Sequence, residues 1–183
     1  MQTPVMIQEQ LKAVIAKGKA PEFRVMDYHV HNGGNLEAGP SISVTLRLLL
    51  EGQEVTKTVS QQVCRVPGNG TSGFSGRLGT IDLVENAFRE ALSERWPKIG
   101  RLLEGFETPG YSVMAMGAHM GPCGNEHHVK VVMQVKNGQS HGGVVEEGVD
   151  TIQEVVRVYQ TVFHWLAWRL LRRVRGQERA RRK

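Results

Sequence analysis

Apolar and polar positions follow two different periods along this chain, and the order of those periods repeats. Ile42, Val44, Leu46, Leu48 and Leu50 occupy every second position, the spacing of a half-buried β-strand. Val129, Val131, Met133 and Val135 do the same, with Lys130, Gln134 and Lys136 among them. Glu51-Gly52-Gln53 and Asn137-Gly138-Gln139 are the turns that follow, so hairpin partners are expected over Val55 to Val63 and Ser140 to Glu146. Phe23 to His31 and Tyr111 to His119 alternate more loosely and read as first strands. The former is expected to break at Asn32-Gly33-Gly34-Asn35, the latter at the loop Gly121-Pro122-Cys123-Gly124-Asn125.

The period then lengthens. After Gly79-Thr80-Ile81-Asp82 come Val84, Phe88 and Leu92, which predict a helix from Thr80 to Arg95 closed by Trp96-Pro97. After Thr151-Ile152 come Val155, Tyr159 and Phe163, which predict a helix from about Thr151 into an arginine-rich end. Ahead of both units, Ile7, Leu11, Val14 and Ile15 share one face of a helix over Val5 to Lys17, ended by Gly18.

The expected fold is therefore α+β: two pseudo-repeated βββα units packed together, with an N-terminal helix and a long C-terminal helix. The boundaries fall at 1–20 for the N-terminal amphipathic helix, 21–104 for the first unit, and 105–183 for the second with its basic helical tail. The copies are unequal, because the first reaches its helix through a longer Gly- and Ser-rich connection, Pro67 to Gly79.

Composition changes this picture little. With 183 residues, 40% hydrophobic and 22% charged, the chain is long enough for a packed core, which excludes wholesale disorder. No apolar stretch reaches spanning length, and Met1 opens no signal-like segment. A soluble, cytoplasmic protein without membrane contact is expected. Cys64 and Cys123 form no disulfide framework.

Charge changes it more. The net charge of +5 is concentrated at the C-terminus, where Arg169, Arg172, Arg173, Arg175, Arg179, Arg181, Arg182 and Lys183 stand against Glu178 alone. The rest is near neutral. Arg172, Arg173, Arg175, Arg179, Arg181 and Arg182 are candidate nucleic-acid contacts through counterion release. The plainer expectation is a solvated helix end whose cations offset the helix dipole.

Gly79-Thr80-Ile81-Asp82 before a helix resembles the Gly-Pro-Ile-Asp-Ala opening in the C-terminal regulatory domain of 2-isopropylmalate synthases. Asp27-Tyr28-His29-Val30 is similar to that domain's Asp-Tyr-x-Val strand, and Gly148-Val149-Asp150-Thr151-Ile152 resembles its Gly-Val-Ser-Thr-Asp-Ile-Ile segment. The likeness spans roughly Phe23 to Leu166, and citramalate synthases carry a related domain. It implies two βββα units, a homodimer, and a feedback amino acid of leucine biosynthesis held between units. The effector would be leucine or a related branched-chain acid, and the partner a separate catalytic synthase subunit. These 183 residues leave no room for the synthases' barrel, so a non-catalytic allosteric and dimerisation module is expected.

The residues themselves add a ligand hypothesis. Backbone amides at a helix start attract a carboxylate, a nearby Asp accepts an ammonium, and apolar neighbours suit a branched side chain. Candidate ligand-binding residues are Gly79, Thr80, Ile81 and Asp82 at one start, and Gly148, Val149, Asp150, Thr151 and Ile152 at the other. The competing role of Asp82 and Asp150 is helix capping.

His119, Cys123, His127 and His128 have spacings compatible with a divalent metal, although no CxxC pair accompanies them. No cofactor is expected. His29-Val30-His31-Asn32 matches a His-x-His-Asn motif of the synthase barrels, but the other barrel ligands have no counterpart. Gly68-Asn69-Gly70-Thr71-Ser72-Gly73 has GxGxxG spacing but stands away from the helix start and outside any βαβ unit, so it reads as connection. No nucleophile stands beside an identifiable base. Three alternatives to the regulatory module are a ligand-free structural interaction protein, a nucleic-acid-associated protein working through its basic tail, and a small metalloenzyme using the histidine cluster.

Overall fold

A computed structural model describes residues 5–35, 39–62, 64–65, 74–75, 79–121, 124–137 and 140–181. The chain opens with β1 (Val5–Met6) and α1 (Ile7–Ala16). The first unit follows as β2 (Phe23–Asn35), β3 (Gly39–Leu50), β4 (Gln53–Gln62), the short β5 (Cys64–Arg65) and β6 (Phe74–Ser75), and α2 (Thr80–Arg95). After α3 (Pro97–Leu103), the second unit runs β7 (Phe106–Gly121), β8 (Gly124–Asn137), β9 (Ser140–Gly148) and α4 (Thr151–Arg181). The fold is α+β, with the βββα order present twice, an N-terminal helix and a long C-terminal helix.

Each unit is an antiparallel meander. One sheet has the order β2-β3-β4 and the other β1-β9-β8-β7. In β3, Val44, Leu46, Leu48 and Leu50 are buried. Val131, Met133 and Val135 of β8 are buried likewise, so both period-two patterns face the core. The β3–β4 hairpin closes through Glu51 and Gly52, whose φ values of 47° and 77° are those of a type I′ turn. Leu50 pairs with Gln53, and Asn137 with Ser140. Residues 138–139, between Asn137 and Ser140, lie outside the described residues.

Several expected boundaries move. β2 does not break at Asn32; it pairs with β3 as far as Asn35↔Gly39, because a continuous ladder outweighs local turn preference. β7 and β8 likewise pair out to Gly121↔Gly124, leaving only residues 122–123 of the expected loop, which lie outside the described residues. The first helix starts at Ile7, since Val5–Met6 pairs in parallel with Gly142–Gly143 of β9. Ile7 and Leu11 are buried but Ile15 is 50% exposed, so only two turns of α1 reach the core. Its end is as expected. Gly18, at φ 61°, donates its N–H to the Ile15 carbonyl. Pro97 closes α2 and also opens α3 at its first position, where a missing N–H costs nothing.

One apolar core joins the units. Phe88 of α2 stacks on Phe163 of α4 at 5.2 Å and meets Tyr159 at 6.2 Å. Glu85 lies beside Tyr159 and, one turn later, Arg89 lies over Phe163, so α2 and α4 run side by side in the same sense. The middle of α4 is buried on every side. Val155, Tyr159, Phe163, Trp165, Leu166 and Ala167 are all in the core, which is the mark of a central helix rather than an amphipathic surface one.

Candidate functional site

The shared direction of α2 and α4 brings both helix starts, and the two sets of candidate ligand residues, to one end of the helix pair. At 1.5 Å per residue, Thr80 stands about level with Glu154. The α4 start faces β2 of the first unit, and the second turn of α2 meets β7 of the second.

At the α4 start, Asp150 Oδ1 accepts the Gln153 N–H at 2.9 Å, so Asp150 is an N-cap. Glu154 is 1% exposed and accepts Arg157 Nη1 at 3.0 Å. Its carboxyl group folds over Gly148, where any Cβ would collide with it; that is why β9 ends on glycine. Tyr28 of β2 completes this corner. Burial raises its phenol pKa first, the Asp150 charge adds to that, and Arg157 opposes it. Beside it, Asp27 accepts the Tyr28 N–H at 2.8 Å and holds His29 Nε2 at 3.0 Å.

At the α2 start, Asp82 Oδ2 accepts the Gly79 N–H at 2.7 Å, reaching back from the third helical position. One turn on, Glu85 accepts Thr108 Oγ1 of β7 at 2.7 Å, the Tyr159 hydroxyl at 3.0 Å and Arg89 Nε at 2.7 Å. Arg89 in turn donates to the carbonyls of Leu103 at 2.7 Å and Phe106 at 2.9 Å. This one acid–base pair ties α2, α3, β7 and α4 together. Burial, then the Glu85 charge and hydrogen bond, hold the Tyr159 phenol firmly protonated as a donor.

Tyr28 and Tyr111 are equivalents. Phe23, Tyr28 and Val30 match Phe106, Tyr111 and Val113 in spacing. Tyr28 pairs across its sheet with Leu46, and Tyr111 with Met133. Of the apolar candidates, Ile81 and Ile152 pack against the core, while Val149 is exposed.

The remaining candidates divide. Backbone pairing sets His119 opposite Glu126 and His127 opposite Ala118. The side chains of His119 and His127, and all of Cys123, lie outside the described residues. Among the described residues no three metal-ligating side chains converge. Residues 68–73, the GxGxxG segment, also lie outside. Arg172, Arg175 and Arg179 line one groove, Arg173 is exposed elsewhere on α4, and the Arg181 side chain and Arg182 lie outside the described residues. Among the described residues no helix is long and apolar enough to cross a membrane.

In comparison with known protein families and with curated proteins, no match to the chain is found.

Sequence reasoning did not single out Glu85, Arg89, Thr108, Glu154 or Arg157. The i,i+4 spacing of Glu85 and Arg89 and the i,i+3 spacing of Glu154 and Arg157 were available signals. So was the repeated Phe/Tyr/Val spacing of the two first strands.

Proposed function

We propose that the chain is a non-catalytic regulatory and dimerisation module, similar in kind to the regulatory domain of 2-isopropylmalate synthases. It senses a branched-chain amino acid or related small acid and acts on a catalytic synthase subunit. The observation that carries this reading is the convergence of both helix starts at one end of the helix pair, with the α4 start beside Tyr28 of β2 and the second turn of α2 bonded through Glu85 to Thr108 of β7. Amides there suit a carboxylate, and Asp27, Asp82 and Asp150 suit an ammonium group. A homodimer is supported by β7, an edge strand on which Tyr111, Val113, Met114 and Met116 are 51%, 41%, 43% and 49% exposed.

Titration calorimetry with leucine, isoleucine, valine and their 2-keto acids tests the sensor. Saturable heat with at least one is expected, and it should weaken at least tenfold in Tyr28→Ala. Silence across the panel refutes ligand sensing. One observation favours a second reading, a structural interaction module without ligand: Asp82 and Asp150 are both already engaged as helix caps.

A further inference from the structure

The C-terminal third of α4 forms one wall of an open groove of about 720 Å³, and the α1–β2 connection forms the other. Arg172, Arg175 and Arg179 face it from α4, and Lys19 faces it from the opposite wall. Trp168 and Leu171, both half-buried, supply an apolar floor. The opposing carboxylate is that of Glu51. It sits on the type I′ turn and accepts Arg175 Nη2 at 3.3 Å while also meeting Arg95 at 3.6 Å. Glu51 holds a left-handed backbone conformation that glycine or asparagine adopts more readily. A glutamate at that place sets a carboxylate against the arginines of α4.

We propose that this groove binds nucleoside phosphates, either as free nucleotides or as a single-stranded nucleic acid, with phosphates on the cations and a base against Trp168. Three features point to that ligand class. The arginines stand at i, i+3 and i+7 on one helix face, rising about 4.5 and 6 Å between neighbours, a ladder suited to successive phosphates rather than to one point charge. The indole among them supplies the stacking surface that a base needs, whereas an inorganic anion would have no use for it. Offsetting the helix dipole requires cations only in the last turn, yet Arg172 and Arg175 lie well before the helix end at Arg181. The site is separate from the helix starts and does not depend on the sensor reading.

The test uses the full chain and measures tryptophan fluorescence and anisotropy at several salt concentrations. The probes are ATP, inorganic tripolyphosphate, and a labelled twelve-nucleotide single strand. Oligonucleotide binding is expected to fall with log salt with a slope of about −2 to −3, as for three or four neutralised phosphates. The pair Arg172→Glu with Arg179→Glu should weaken binding at least tenfold. Trp168→Leu should weaken ATP and the oligonucleotide but not tripolyphosphate. Glu51→Asn suits the turn and releases Arg175, so it should tighten binding several-fold, a gain that misfolding cannot mimic. Arg173→Glu, on the other side of α4, should change little. Tighter binding of the oligonucleotide than of ATP, or the reverse, identifies which source the groove serves. The proposal is overturned if neither nucleotide probe binds, if Arg173→Glu costs as much as the groove pair, or if Trp168→Leu and Glu51→Asn both leave affinity unchanged.

Discussion

At the scale of single residues, the Glu85–Arg89 pair and His164 are enclosed polar groups whose burial has a measurable cost. Arg89 and Glu85 are largely enclosed, and their hydrogen bonds reach the Leu103 and Phe106 carbonyls, Thr108 and Tyr159. Removing one charge strands the other. Arg89→Met is expected to cost about 3–5 kcal/mol in urea unfolding, and adding Glu85→Leu should recover part of that loss. Full additivity of the two changes would show that the pair does not act as a unit. His164 is the second case. Its ring stacks on Phe23 at 5.2 Å and its Nε2 donates to the Pro21 carbonyl at 2.8 Å. Burial lowers its pKa, and the Pro21 hydrogen bond only partly opposes that shift. The unfolded chain therefore takes up the proton first as pH falls. Stability is complete above the ordinary histidine value of about 6.5 and declines below it. The melting temperature should fall as pH drops below about 6.5, and His164→Phe should flatten that slope. The Glu85–Arg89 spacing was readable along the helix, but Thr108, Tyr159 and Pro21 join these networks from far along the chain, where no local pattern points to them.

At the scale of elements, the two helix starts solve one problem in different ways. Each leaves backbone N–H groups without helical partners. In α4, Asp150 stands ahead of the helix and caps it directly; in α2, Asp82 stands inside it and reaches back to Gly79. The two aspartates are thus not equivalent, although the threonines opening the helices are. Asp150→Ala should destabilise by about 1 kcal/mol in thermal or urea unfolding. A loss near zero would free Asp150 from its capping role and strengthen its claim as a ligand group. Gly148 is a harder constraint. Gly148→Ala pushes on the buried Glu154 carboxylate and should cost about 1–3 kcal/mol by disturbing its bond to Arg157. Strand and helix types were readable from periodicity, because one buried face imposes its period on the residues. Their ends were less so. β2 ran through Gly33 and Gly34 because β3 offered partners, and α3 formed beyond Pro97 because Ile99 and Leu103 find the core.

At the scale of the whole molecule, the two units share one core through α2 and α4, while β7 carries apolar residues into solvent on both of its faces. Under the dimer proposal, light scattering should report twice the chain mass, and Met114→Lys with Met116→Lys should return a monomer with unchanged circular dichroism. A monomeric unmodified chain would remove that proposal. By itself, the sequence determined the α+β class, the doubled βββα order, the β3 and β8 core faces and the span of α2, since each rests on periodicity or turn chemistry within a short window. Only the tertiary structure decided that α2 and α4 run in the same sense, that the α4 start meets β2 while Glu85 of α2 meets β7, and that Lys19, Glu51 and the arginines of α4 share a groove. Those outcomes depend on which faces pack together across more than a hundred residues, and the free energy that selects among such packings is spread over the whole core rather than written in any one segment.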